Sequence, residues 1–188
     1  QTVELLYDDP YLLMDNGLDA PFGAVDRFAI ELGIAGDDPR RIEAGILFEL
    51  TYNMSAGHTF LPEEKLAMAT AQLLSVDLES VKEGFERLSQ AERLERSRLA
   101  GINIAYLPQM YEAELYSAYR LLQGAGCSFP EPANLNSLMK RVEQETNIHY
   151  SEQQAQAIRA AATNGVLLIT GGPGTGKTTI LQGILSLL

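Results

Sequence analysis

The run Gly171-Gly172-Pro173-Gly174-Thr175-Gly176-Lys177-Thr178 constrains this chain more than any other feature. Four glycines in eight residues argue against regular helix or strand there, because glycine loses the most backbone freedom on ordering. An apolar stretch, Val166-Leu167-Leu168-Ile169, leads into the run, and helical periodicity resumes from Thr179 to Leu188. The expected local structure is a short buried strand, a tight loop and a helix. The spacing satisfies G-x-x-x-x-G-K-S/T in full, the pattern of a phosphate-binding loop. Its glycines let backbone N–H groups curl around phosphate oxygens without Cβ clashes, and the helix N-terminus adds its positive dipole end. In such a loop Lys177 reaches the β- and γ-phosphates of a nucleotide and carries the catalytic charge, while Thr178 holds Mg²⁺. Gly172, Gly174, Thr175, Gly176 and Thr179 complete the expected cradle.

About 20 residues earlier, Ser151-Glu152-Gln153-Gln154 opens a helix expected to run to Thr163 and to end on Asn164-Gly165 as its C-cap pair. One reading is a capping box, with Ser151 as N-cap and Gln154 as its reciprocal partner. The other is that the Gln154 amide, with two donors and an acceptor, reads the N6 and N7 edge of adenine. Spacing alone leaves both open.

Composition narrows the rest. Across 188 residues, apolar side chains make up 46% and charged ones 21%, ordinary globular usage that excludes disordered and collagen-like chains. Fourteen Lys+Arg against 25 Asp+Glu give a net charge of −11, which excludes a protein that coats nucleic acid with its whole surface but leaves room for a local basic stripe. Cys127 is the only cysteine, so no internal disulfide can form, which fits a reducing compartment. No apolar run approaches the roughly 18–20 residues of a membrane span. The chain starts at Gln1 and stops at Leu187-Leu188 within an apolar helical pattern, and it reads as an internal stretch of a larger protein.

Pro and Gly punctuation divides the chain into segments 1–62, 63–107, 108–147 and 148–188. In the first, Val25, Phe28, Ala29 and Leu32 form one helical stripe stopped by Gly33, and Ile42, Ile46 and Leu50 form another opened by Asp38-Pro39. This segment sets Arg27, Arg40 and Arg41 against eleven acids, a net charge of −8. In the second, Leu66, Ala69 and Leu73 mark a helix, and Asp77 caps another with Leu78, Val81, Phe85 and Leu88 on one face. Leu94–Leu99 and Ile102–Leu107 flank Ala100-Gly101 as strand, turn, strand. Two helices and a hairpin suggest a winged-helix-like module. Arg87, Arg93, Arg96 and Arg98, facing Glu92 and Glu95, make its end the densest basic stretch of the chain. The third segment is a helical connector, with Tyr111, Leu115, Ala118 and Leu122 on a longer helix, a loop from Gly124 to Asn136, and a short helix to about Glu145. The expected fold class is mainly α with a small β-hairpin, followed by the first strand–phosphate loop–helix of an α/β domain.

Tyr150-Ser151-Glu152-Gln153-Gln154-Ala155-Gln156-Ala157-Ile158, then Val166 to Thr170, then the glycine-rich run, resemble the opening of a RecD-like ATP-dependent DNA helicase of superfamily 1, the exodeoxyribonuclease V α-subunit type. Upstream, Asp9-Pro10-Tyr11-Leu12, Asp26-Arg27-Phe28-Ala29 and Leu32-Gly33-Ile34 are similar to that family's helix-hairpin-helix region. Arg41 to Ile46, Gly57-His58-Thr59-Phe60-Leu61-Pro62, Tyr106-Leu107-Pro108 and Tyr111-Glu112-Ala113-Glu114 match further stretches in the family's order. The resemblance implies a helix-hairpin-helix module at 1–62, the winged-helix-like module at 63–107, the connector at 108–147 and the start of a RecA-like ATPase domain at 148–188. It implies ATP and Mg²⁺ as cofactors, DNA as partner, 5′→3′ unwinding in repair or recombination, and a bacterial cytoplasm. It also assigns Gln154 to adenine.

One departure matters. A helix-hairpin-helix that grips DNA turns backbone N–H groups toward a phosphate, yet here the hairpin is Leu18-Asp19-Ala20-Pro21-Phe22. Pro21 has no N–H to donate and Asp19 repels phosphate. The acidic first module is therefore expected to be structural or to face a protein partner, and the hairpin arginines Arg93, Arg96 and Arg98 are the expected DNA contacts. His58 suits a turn hydrogen bond better than a metal, since His149 and Cys127 supply no zinc-ligand spacing. Tyr106, Tyr111, Tyr116 and Tyr119 suit packing better than base stacking, and Cys127 lacks a partner that would activate it. Two competing functions remain: an adaptor with a vestigial phosphate loop, and the RecD-type subunit of a multi-subunit recombination nuclease. By itself the 188-residue chain is expected not to hydrolyse ATP, because a second Mg²⁺-holding acid and a water-orienting group normally come from later strands.

Overall fold

The computed structural model describes residues 2–14, 18 and 20–187 and divides into two compact units, Gln1–Glu114 and Leu115–Leu188. Among the described residues no helix is long and apolar enough to cross a membrane.

The first unit begins with α1 (Thr2–Asp8) and a 3-10 turn at Pro10–Met14, followed by α2 (Phe22–Glu31) and α3 (Pro39–Ser55). Asp38 opens α3 as the sequence predicts, its carboxylate accepting the Arg40 amide at 2.9 Å with Pro39 in the first turn. Arg40 also holds that carboxylate through its guanidinium, which lowers the Asp38 pKa below the ordinary carboxylate value. Next come β1 (Phe60–Pro62), α4 (Glu63–Leu74), α5 (Leu78–Gln90), β2 (Glu95–Leu99) and β3 (Ile102–Tyr106). Asp77 caps α5 on the Ser80 amide at 2.9 Å. The expected hairpin is present, turning through Ala100 (φ 49°) and Gly101 (φ 85°), both left-handed as a two-residue hairpin turn requires.

That hairpin is two-thirds of a sheet. β1 pairs antiparallel with β3, Phe60 opposite Tyr106, giving the order β1-β3-β2. Three residues ending in proline carry too short an alternation to announce a strand, so β1 went unread in the sequence. The segments 1–62 and 63–107 share one core, built on Val25, Ile42, Ile46, Leu66, Val81, Phe85 and Leu88. Closeness explains two glycines in it: a methyl on Gly84 of α5 would lie 2.9 Å from both Ile42 and Ile46, and one on Gly45 2.7 Å from Leu74. Along α4 the buried face is Leu66, Ala67, Thr70 and Leu74; Leu73, expected inside, is exposed. Phe28, Leu32 and Leu78, the outer members of the other two stripes, are also exposed.

In the second unit, α6 (Pro108–Ala125, whose first seven residues belong to the first unit), α7 (Leu135–Thr146), α8 (Glu152–Thr163) and α9 (Lys177–Leu187) carry the chain. None of the residues of α6 is buried; of its predicted stripe Tyr111 packs against Tyr106, while Leu115 and Leu122 are exposed, Leu122 at 74%. A small core of Leu135, Met139, Ile158 and Ile180 joins α7, α8 and α9.

Asn164 ends α8 as its C-cap, as expected, in an extended conformation (φ −123°, ψ 143°), bridged to Ser128, with Gly165 donating to the Cys127 carbonyl. One expectation is corrected here. Val166–Ile169 is not a strand, because among the described residues nothing pairs with it, and Leu168 stands 83% exposed. A parallel strand buried on both faces needs neighbours on its edges, and the second unit supplies no other strand among its described residues.

Candidate nucleotide site

The glycine-rich loop runs from Gly171 to Gly176 and delivers Lys177 as the first residue of α9. Gly174 (φ 74°) and Gly176 (φ 80°) lie in the left-handed region that side chains avoid, which is why the pattern needs glycine at those two positions. Methyl groups built on Gly172 and Gly174 would meet no atom within 4 Å, so the space beside the loop backbone is open there. Thr175 closes the loop on itself, its hydroxyl donating to the Gly172 carbonyl at 2.9 Å. Lys177 Nζ lies at 2.7 Å from the Gly171 carbonyl and 2.6 Å from that of Gly172, so its ammonium sits at the loop. Thr178 is exposed beside it and Thr179 half-buried.

Gln154 reaches the same place from α8. The capping box is made: Ser151 Oγ accepts the Gln154 amide at 3.3 Å, and Gln154 Oε1 accepts the Ser151 amide at 2.9 Å. With the oxygen so engaged, Nε2 is turned toward the loop, where a methyl on Gly176 would collide with it. The two readings of Gln154 are thus compatible in one conformation. The structure brings together Gln154, Gly176, Lys177 and the loop glycines. An open glycine-rich backbone, an ammonium group and a helix N-terminus fit the chemistry of a nucleotide polyphosphate. Among the described residues, no cluster of three or more His, Cys, Asp or Glu could hold a metal ion.

The hairpin arginines are placed differently. Arg96 is held bidentately by Glu63 at 2.7 and 3.1 Å and also by Glu86. Arg98 is exposed and donates to Gly101 in its own turn at 3.3 Å; Arg93 is exposed as well. In the acidic module, Arg41 is 9% exposed and binds both Asp26 oxygens at 2.8 and 3.0 Å, with further bonds to the Gly36 and Leu74 carbonyls. Tyr11 donates to the same Asp26 at 2.8 Å; burial first, then this bond, raises its phenol pKa well above the ordinary value. Arg40 is taken by Asp38 and the Asp8 carbonyl. Pro21 precedes α2 with no side-chain cap, and Asp19 lies outside the described residues. His58 donates its backbone N–H to Asn53 within a turn. Tyr106 is buried 5.3 Å from both Phe60 and Tyr111, whereas Tyr116 and Tyr119 are exposed on α6. Cys127 is exposed, its thiol on the Gln123 carbonyl.

Comparison with known proteins shows what the chain resembles. Residues 1–60 match the family described as the ATP-dependent RecD2 DNA helicase HHH domain, and residues 154–188 match an AAA domain. The ATP-dependent RecD2 DNA helicase of Deinococcus radiodurans is 29% identical over 183 aligned residues, 88% of this chain. In these regions the chain is similar to RecD-like helicases. It spans 24% of the length of that relative. The matched regions begin with the helix-hairpin-helix and end with Gln154 and the glycine-rich loop.

Sequence reasoning missed three residues that shape the site. Gly183 of α9 leaves room for Tyr150, whose hydroxyl would be 2.7 Å from a methyl there. Glu143 of α7 accepts the Tyr150 amide at 2.8 Å. Gly183 sits inside an ordinary helical pattern and Glu143 in a charged one, so neither carries a sequence signal. Tyr150 was quoted only as part of a motif.

Proposed function

We propose that this chain supplies the nucleotide-binding start of an ATP-dependent DNA helicase, preceded by accessory modules, acting 5′→3′ in DNA repair or recombination in a bacterial cytoplasm. The observation that carries the reading is the phosphate loop, with left-handed Gly174 and Gly176, the Lys177 ammonium at its carbonyls and Gln154 alongside. On nucleotide binding, Lys177 exchanges the Gly171 and Gly172 carbonyls for β- and γ-phosphate oxygens and offsets the charge that develops in transfer. The Thr178 hydroxyl holds Mg²⁺, which when bound neutralises charge between the two phosphates. Gln154 reads the N6 and N7 edge of adenine, Nε2 donating to N7 and Oε1, with one lone pair on the Ser151 N–H, accepting from N6–H with the other. Gly172, Gly174, Thr175, Gly176 and Thr179 contribute backbone and hydroxyl donors around the phosphates.

The winged-helix reading of the accessory region is supported by the order α3, β1, α4, α5, β2, β3 and by the β1-β3-β2 sheet. The exposed face of α5 carries Glu79, Glu83 and Glu86, which oppose phosphate, so the β2–β3 hairpin is the better DNA contact. Arg98 of that hairpin is exposed, as is Arg93 just before β2; Arg96 would contact phosphate only in competition with Glu63 and Glu86. The engagement of Arg40 and Arg41 within the acidic module supports a structural or partner-facing role for it. The decisive experiment is Lys177→Ala in the full-length protein. ATP-driven unwinding is expected to vanish with the fold intact by circular dichroism, and unwinding at the wild-type rate would refute the motor.

A further inference from the structure

Gln154 can read a base only if its amide is held one way round. A glutamine side chain has three rotatable bonds, and a free terminal amide presents oxygen and nitrogen interchangeably. Here the orientation is set from outside the phosphate loop. The Ser151 N–H occupies Gln154 Oε1, so Nε2 is the group turned to Gly176. That N–H belongs to the Tyr150–Ser151 peptide, and the preceding amide, Tyr150 N–H, is fixed by the Glu143 carboxylate at 2.8 Å. Glu143 secures the rest of the same turn through its own backbone. Its carbonyl accepts the amides of Asn147, in the left-handed conformation that ends α7 (φ 54°, ψ 35°), and of Ile148 at 3.2 Å. On the far side, the Tyr150 ring fills the space that Gly183 leaves on α9. One half-buried carboxylate therefore fixes the segment whose next N–H orients Gln154.

We infer that Glu143 is a positioning residue for base recognition: by holding the Tyr150 amide it keeps one lone pair of the Gln154 carboxamide oxygen on Ser151, leaving the second for adenine N6–H and the nitrogen for N7, a pattern that guanine, with a carbonyl at the 6-position, does not match. This rests on the reading of Gln154 as the adenine contact, and it assigns Glu143 a specificity role at a distance from the phosphates. Glu143→Gln keeps an acceptor oxygen at the same reach, Glu143→Ala removes it, and Glu143→Asp withdraws it by one methylene while keeping the charge.

The test compares ATP with GTP in the full-length protein, measuring KM and kcat for DNA-stimulated hydrolysis beside Tm. Loss of one hydrogen bond's worth of orientation predicts that Glu143→Ala lowers the ATP-to-GTP preference roughly five- to tenfold through KM, with kcat unchanged. Glu143→Gln restores the wild-type preference. If Glu143→Ala does not fold, Glu143→Asp is expected to show the same loss of preference. A variant that lowers Tm yet keeps the wild-type preference makes Glu143 a structural residue only and overturns the inference. Gln154→Ala separates the two levels. If it leaves the preference untouched, the adenine reading itself fails. If it abolishes the preference while Glu143→Ala and Glu143→Asp do not, only the positioning role falls.

Discussion

The two units use charge in opposite ways. In the first, arginines are turned inward: Arg41 to Asp26, Arg87 to Glu43, and Arg96, an expected DNA contact, to Glu63 and Glu86. These pairs join separate elements, α3 to α2, α5 to α3, and β2 to α4 and α5. In the second unit, the Lys177 ammonium rests on two backbone carbonyls of an open loop rather than on a carboxylate. An ammonium on carbonyls can be exchanged for phosphate at little cost, whereas a guanidinium held bidentately by a buried carboxylate cannot. The difference teaches that cation density is a poor guide to anion binding in an acidic chain. What counts is which carboxylate reaches each cation first.

The largest way to break this comparison is at Asp26. Asp26→Ala strands the Arg41 guanidinium and removes the acceptor of Tyr11, and is expected to cost about 3 kcal/mol in chemical denaturation of the first unit. A loss below about 0.5 kcal/mol, the range of an ordinary surface change, would show that the pair is incidental. The hairpin sharpens the contrast at the next level. Arg96→Ala is expected to lower stability by about 1 kcal/mol, since its pair is bidentate and only partly exposed. Arg98→Ala is expected to leave Tm unchanged and to reduce the slope of DNA affinity against salt by about 1. If Arg96→Ala flattens the salt slope and leaves stability alone, the inward-facing reading of the first unit is wrong. The smallest effect concerns Thr70, whose buried hydroxyl has no hydrogen-bond partner among the described residues. Thr70→Val keeps the shape and removes the orphaned oxygen, so a gain of about 0.5 kcal/mol is expected by thermal melting. Destabilisation would mean that the hydroxyl has a partner, such as an ordered water.

Local rules were enough for elements whose cause is local. Asp38-Pro39 and Asp77 open their helices because a carboxylate two or three residues back meets an amide whatever the surroundings. Ala100-Gly101 turns the hairpin because both residues tolerate or favour a left-handed backbone there. The phosphate loop was legible for the same reason, its glycines being demanded by the backbone itself at Gly174 and Gly176.

Whatever depends on a distant partner was left to the tertiary structure. Strand β1 exists because β3 offers an edge, and Val166–Ile169 is unpaired because its unit offers none among the described residues. Leu73 faces solvent while Thr70 is buried, because the neighbours of α4 decide which side of an ambiguous stripe is covered. Arg41 and Arg96 look alike in sequence with Arg98, yet only long-range approach to Asp26, Glu63 and Glu86 separates them. The same holds at the site. Spacing supplied Gln154, Lys177 and Thr178, but the direction in which Gln154 presents its nitrogen follows from three elements, α7, α8 and α9, meeting around Tyr150. Sequence fixes what short stretches of backbone must do; the pairing of side chains across a core is decided only when the chain has closed on itself.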